Sequence, residues 1–294
     1  MAEIPQMSDL PPTNCPPQTS RERLGAFIAR HRRNLPVRKI ANLCTQYLGW
    51  YGNFNYDLRT NGEAFVVETL AAFQPRVLFD VGANVGDWSI AAKRTCRGAE
   101  IHAFEIAPPT FAALAAKTRH LPDMHCENVG LSDASGPIRI RHYGAFPALT
   151  TSTDYPHPLA FSEIEAQVIT GDSYIACKNI QHIDLLKMDV EGMEDRVLKG
   201  FQKTFEQGAI DLVQFEYGRV SIINHFLLRD AYSFFRQNGF VVGKIYPNYV
   251  DFRDYDMSDE DFMGPNYLAC RKDKVEYVRA FRGGFNGTVS SARA

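Results

Sequence analysis

Along most of the chain, short runs of apolar and β-branched residues alternate with stretches of helical spacing, the pattern of a parallel sheet covered by helices on both faces. Strands are predicted at 76–81, 100–104, 124–129, 182–189, 209–216, 240–245 and 267–271, with helices at 63–73, 87–96, 108–119, 191–205 and 226–238. Residues 137–170 break the rhythm: IRIRHY and EAQVIT each alternate like a strand, which predicts an inserted hairpin beside the third strand. Upstream, Leu24, Phe27, Ile28 and Leu35 sit at near-helical spacing among seven Arg or Lys and one Glu over 21–39, an amphipathic helix with a basic outer face. A second helix is predicted over 38–48, followed by a loop through YGNFNYDLRTNGE.

Four segments result: a disordered lead-in over 1–20, a helical extension over 21–61, an α/β domain over 62–273 and a flexible tail over 274–294. The lead-in holds five of the sixteen prolines and few apolar anchors. With 45% hydrophobic and 22% charged residues, the 294-residue chain falls in the globular range. Its net charge of -2 provides no global field toward nucleic acid, so no nucleic-acid partner is expected. The longest strictly apolar run is the six residues 111–116, too short to span a bilayer, and the first twenty residues lack the parts of a secretory signal, which points to the cytoplasm. Six dispersed cysteines without a C-x-x-C pair argue against a zinc ribbon or a disulfide framework.

The most informative segment is VLFDVGANVGDWSIAA, residues 77–92: a buried strand, a glycine turn and a helix, the geometry of a nucleotide-type cofactor site. Counted from Gly82, the dinucleotide fingerprint G-x-G-x-x-G needs glycine at 84 and 87, where Asn84 and Asp87 stand. Asp80 and Asp87 would repel a pyrophosphate, which argues against a nicotinamide oxidoreductase. They would suit S-adenosylmethionine, whose sulfonium and ammonium are cationic. Glu105, 23 residues beyond Gly82, is placed to accept hydrogen bonds from ribose hydroxyls. The expected cofactor residues are Asp80, Gly82, Asn84, Gly86, Glu105, Leu131 and Ser132.

VLFDVGANVGDWS, HAFEIAPPTFAAL, ENVGLSDASG and LLKMDVEGMEDRVLKGF resemble successive motifs of the FkbM family of S-adenosylmethionine-dependent methyltransferases, over about 62–271. The resemblance implies a three-layer Rossmann-like fold with a mostly parallel seven-stranded sheet, and O-methylation of a hydroxyl on a sugar, glycan or secondary metabolite. It leaves the acceptor open, as a small molecule or a carbohydrate. A catalytically inactive binding protein on the same fold remains the alternative.

Asp189, Glu191 and Glu216 form a second group of acids at the ends of the fourth and fifth strands, where ligands bind in an open sheet. They are the candidate catalytic residues, acting on a hydroxyl through a general base. Glu191 is equally readable as a residue favoured at a helix N-terminus. Mg²⁺ on Asp189 and Glu216 is an alternative that the sequence does not favour: metal-dependent sugar and catechol methyltransferases follow the fifth-strand acid with Asp or Asn, and this chain has Tyr217. His182 and His225 are read as structural or surface residues. Tyr217, Tyr246 and the segment TTSTDYPHPLAF are further candidates for the acceptor pocket.

Overall fold

A computed structural model describes residues 19–154 and 158–283. The expected lead-in over 1–20 lies almost wholly outside the described residues, and so does the chain beyond 283. The chain divides into two compact units, 1–48 and 49–294.

Two helices are found where two were predicted over 21–39 and 38–48, but the break between them falls earlier: α1 (Ser20–Arg30) and α2 (Leu35–Tyr51). Pro36 is the reason for the break, because a proline inside a continuous helix removes a hydrogen bond and clashes with the carbonyl four residues back, whereas the first turn of a new helix tolerates it. Helix α1 starts with a capping box, Thr19 accepting from Glu22 N–H and Glu22 accepting from Thr19 N–H. The unit boundary falls at 48/49 rather than 61/62. Asn53 explains this: its side-chain amide donates to Asn61 O at 2.7 Å and to Ile245 O at 2.9 Å, fixing the loop to the second unit.

In the second unit the elements run α3 (Glu63–Ala71), β1 (Val77–Val81), α4 (Asp87–Thr95), β2 (Glu100–Phe104), α5 (Pro108–Thr118), β3 (Met124–Glu127), β4 (Gly130–Leu131), β5 (Gly136–His142), β6 (Ser162–Ile169) and α6 (Gly171–Lys178). They continue with β7 (Ile183–Met188), α7 (Glu194–Gly200), α8 (Gln202–Glu206), β8 (Ile210–Glu216), α9 (Val220–Asn224), α10 (Leu228–Gln237), β9 (Phe240–Tyr246), β10 (Tyr249–Phe252), β11 (Asn266–Arg271) and α11 (Val275–Phe281).

Among the described residues the main sheet has eight strands in the order β10-β9-β11-β8-β7-β1-β2-β3. The strands from β8 to β3 are parallel, while β11 lies antiparallel between β8 and β9. The seven predicted strands are all present in this α/β sheet, and β10 adds an eighth by folding back on β9.

Neighbouring residues on each central strand enter different cores. Leu78, Ile101, Leu185, Leu212 and Leu268 pack with Val66, Leu70, Trp88 and Phe281 of the helices on one face. Phe79, Leu186, Val213 and Ala269 pack with Tyr174, Val197, Phe205 and Phe235 on the other. Both faces are covered, so the strands read as continuous apolar runs rather than alternating ones.

The inserted segment differs in its partner. β5 and β6 pair antiparallel, but their sheet is completed by β4 in the order β4-β6-β5 rather than by the third strand; the run predicted at 124–129 ends at Glu127 as β3, and β4 begins just beyond it. Helix α6, started by Thr170 accepting from Ser173 N–H, was not predicted. The helix predicted over 191–205 begins only at Glu194, because Glu191 (φ 50°) and Gly192 (φ 93°) adopt left-handed conformations in a turn. Part of the expected tail over 274–294 is ordered: Tyr277 and Phe281, one turn apart on α11, enter the core, and Tyr277 meets Phe73 with ring centroids 4.4 Å apart. No helix among the described residues is long and apolar enough to cross a membrane.

Candidate active site

β1 ends in the glycine turn, and its backbone lies against the end of β7. Gly82 has φ 82°, and a Cβ there would stand 1.8 Å from Asp189 O, so both the conformation and the close approach require glycine. Gly86 also has a positive φ, and a Cβ there would fall 2.6 Å from Leu114 Cδ1. Gly86 thus seats α4 against α5 and, contrary to the expected cofactor contact, does not line the cavity described below.

Glu105 organises the turn from the end of β2. Its carboxylate accepts from Asn84 N–H at 2.9 Å and from Ala107 N–H at 2.8 Å. Burial pushes it up to about 7 against the effect of these two donors. Asn84 Oδ1 is buried without a hydrogen-bond partner.

Asp80 is placed differently from expectation. It is fully buried; one oxygen accepts from Lys187 Nζ at 2.9 Å and the other from Ser89 Oγ at 2.6 Å. The carboxylate anchors the strand ends, and Asp80 does not line the cavity. Burial would lower the Lys187 ammonium, but Asp80, Asp189 and Glu63 outweigh it and hold the group above its usual range.

A cavity of about 890 Å³ opens above the sheet's carboxyl edge. Gly82, Asn84, Glu105, Leu131 and Ser132 line one part of it, and Asp189, Glu191 and Glu216 another. Ser132 contributes no free backbone donor, since its N–H is bonded to Ile169 O at 2.9 Å. Met188 and Phe215 are partners in the register of β7 and β8, so Asp189 and Glu216 continue adjacent strands. One carboxylate oxygen from each of Asp189, Glu191 and Glu216 lies within 4.8 Å of the others. Burial, then the neighbouring Asp189 and Glu194, pushes Glu191 up to about 8. Burial, then Asp189 and Glu191, raises Glu216 well above the ordinary carboxylate range. Glu194, rather than Glu191, is the residue at the helix start, where it accepts from Val190 N–H at 3.2 Å.

Two cavity residues were missed in the sequence. Tyr56 reaches the cavity from the loop before α3, with its hydroxyl pushed up to about 12 by burial and by Glu216 and Glu191. Glu63 starts α3 and accepts from Gln214 Nε2 at 2.7 Å and Asn61 Nδ2 at 2.9 Å. No periodicity marks either one, and only the path of a long loop brings them in.

Tyr217 and Tyr246 do not line the cavity. Tyr217 is buried, donates to Glu260 and stacks on Phe262, while Tyr246 stacks on Tyr249. Thr150, Thr151 and Ser152 do line it. His182 Nε2 pairs with Asp211 at 3.1 Å, and His225 is exposed at the end of α9.

Residues 80–242 match the methyltransferase FkbM domain family. The chain is 32% identical over 154 residues to 31-O-demethyl-FK506 methyltransferase FkbM of Streptomyces tacrolimicus, covering 43% of this chain and 59% of that protein. It is 28% identical over 166 residues to the hexuronic acid methyltransferase AglP of Haloferax volcanii, covering 55% and 65%. The chain thus spans less than two thirds of the length of these curated relatives. A solved structure of methyltransferase FkbM from Methylobacillus flagellatus KT is similar at 14% identity and a TM-score of 0.42, over 67% of this chain and 44% of that one.

Proposed function

The chain belongs to the FkbM methyltransferase family, and from that premise we propose that it O-methylates a hydroxyl of a sugar, glycan or secondary metabolite with S-adenosylmethionine as donor. The observation that carries the reading is one cavity holding both the Glu105-ordered turn and three converging carboxylates. Its volume of about 890 Å³ is at the upper end of small-molecule sites, with room for a cofactor and an acceptor together.

The donor set fits this cofactor. The unpartnered Asn84 Oδ1 and the Glu105 carboxylate are acceptors suited to hydroxyl and ammonium donors, while Gly82 and Leu131 supply close backbone and an apolar wall. S-adenosylmethionine, when bound, supplies an electrophilic methyl group on a sulfonium. The protein's task is then to orient the acceptor hydroxyl and remove its proton.

Glu191, raised to about 8, is a stronger base than an ordinary carboxylate and takes that proton onto a carboxylate oxygen once it is ionised as pH rises through that value. Glu216 and Asp189 hold the acceptor oxygen beside it. Lys187 Nζ, 3.5 Å from Asp189 Oδ2, provides a fixed cation at the cluster's base. This internal countercharge favours metal-free catalysis over Mg²⁺, although three carboxylate oxygens are donors of the type Mg²⁺ takes.

Calorimetric titration with S-adenosylmethionine, its demethylated product and NAD tests the donor: binding of the first two and not of NAD is expected, and NAD binding alone would refute the reading. With an acceptor in hand, turnover that survives a chelator supports the metal-free route. Asp189→Asn should abolish most turnover, and a variant as active as the parent would remove Asp189 from the site.

A further inference from the structure

On the sheet face covered by α6, three side chains of β2 and β3 bring metal-ligating atoms together outside the cavity. Glu100 and His102 are two residues apart on β2 and project to the same face. The parallel register sets His125 directly beside His102, and their rings stack with centroids 4.7 Å apart. One ligating atom from each of Glu100, His102 and His125 lies within 4.8 Å of the others.

His102 decides what such a cluster can do. The ring is 3% exposed, with Nδ1 2.9 Å from the Tyr174 hydroxyl. That hydroxyl donates its one proton to Glu127 Oε1 at 3.2 Å, so toward His102 it can only accept. The ring proton therefore sits on Nδ1. Nε2 is left with a bare lone pair, buried and without a hydrogen-bond partner. Glu100 Oε2, 3.8 Å from it, is an acceptor as well. Two acceptors turned toward each other in a partly buried site are unfavourable unless a cation lies between them.

We propose that Glu100, His102 and His125 bind a divalent transition metal of the zinc type through His102 Nε2, a ring nitrogen of His125 and a Glu100 carboxylate oxygen. Two imidazoles and one carboxylate are a borderline-soft set that suits zinc rather than Mg²⁺ or Ca²⁺. The chain from His102 Nδ1 through Tyr174 to Glu127 is the outer support that orients a ligating histidine. Lys178, the nearby cation, is paired with Glu127 at 3.0 Å. β3 is the sheet's last strand, so the metal would fasten this edge to β2.

In the grouping of His182, Asp184 and Asp211, Asp211 Oδ1 is buried without a partner, but a lysine ammonium already faces Oδ2. Lys274 sits 2.9 Å from Asp211, and Asp184 accepts from the N–H groups of Arg76 and Val77.

The test uses the full chain, stripped with a chelator and dialysed, then titrated with Zn²⁺ in competition with a chromophoric chelator and with Co²⁺ read by its visible absorption. One equivalent of Zn²⁺ and a Co²⁺ spectrum of low-coordinate N/O type are expected. His125→Ala and Glu100→Gln change exposed residues and should each weaken Zn²⁺ binding by about tenfold or more; Tyr174→Phe, which removes no ligand, should weaken it by about 10–100-fold. His182→Ala should leave it unchanged. A parent chain that takes no Zn²⁺ overturns the proposal. So does binding that persists in a folded His125→Ala, Glu100→Gln double variant, or that is lost instead on Glu216→Gln.

Discussion

Replacing Lys187 by methionine would strand a carboxylate in the middle of the fold. Lys187 Nζ donates to Asp80 Oδ1 at 2.9 Å and lies 3.4 Å from Gly82 O, with both side chains of the pair almost wholly buried. In the variant, Asp80 retains only the hydroxyl of Ser89, which cannot neutralise it. Breaking one side of a buried ion pair typically costs about 3–5 kcal/mol. At about 2–4 °C per kcal/mol for a domain of this size, the melting temperature should fall by roughly 6–20 °C. Urea unfolding followed by far-ultraviolet circular dichroism measures the loss directly. Adding Asp80→Asn to Lys187→Met removes the stranded charge, so the double variant should regain most of the stability. A single variant that loses less than about 1 kcal/mol, or a double variant no better than the single, would show that the pair does not carry the strand ends as argued.

Glu105→Ala should weaken S-adenosylmethionine binding by about 1.5–3 kcal/mol, the worth of a charged hydrogen bond, and unchanged affinity in a folded variant would take Glu105 out of the site. Gly82→Ala forces a side chain into a left-handed position 1.8 Å from Asp189 O, and should cost about 2–5 kcal/mol in chemical denaturation; wild-type stability would contradict that close approach. Glu191 is raised from an ordinary 4.5 to about 8, so the folded state holds its proton more tightly than the unfolded one, and the associated stability is present at low pH and lost as pH rises through about 8. Melting temperature should therefore decline over that window in the free protein and decline less in Glu191→Gln, whereas turnover by the parent should rise across it; a slope unaffected by Glu191→Gln would refute the linkage.

The sheet was legible because its signal is local and repeated. Pairs such as Leu78 and Phe79, or Leu185 and Leu186, each serve two cores, so every central strand is apolar along its length. What failed was punctuation of another kind. Pro36 divided a helix whose apolar spacing continues past it, and Gly192 delayed one whose charge pattern begins earlier. Tyr277 and Phe281 looked like part of a fraying tail because their ring partners, Phe73 and Phe65, stand about two hundred residues away in sequence. Asp189 and Glu216 were readable as neighbours from their positions at strand ends, while Tyr56 and Glu63 were not, since a loop's path has no sequence period.

The charge that favours a cationic cofactor comes from other acids than the turn's own aspartates. Asp80 and Asp87 were the acids thought to repel phosphate, yet Asp80 is paired with Lys187 and Asp87 with Lys117 at 3.0 Å, and neither lines the cavity. Five other carboxylates do line it, from Glu63, Glu105, Asp189, Glu191 and Glu216, and among the described residues Arg219 is the one guanidinium there. Burial raises Glu63, Glu105, Glu191 and Glu216 alike, which is the mark of acids crowded where water is scarce and cations few. A polyphosphate would add negative charge to this crowd, whereas a sulfonium or an ammonium would relieve it. The preference for a cationic cofactor thus rests on acids gathered from α3, β2, β7 and β8, and the turn's own aspartates hold the strands and helices that bring those acids together.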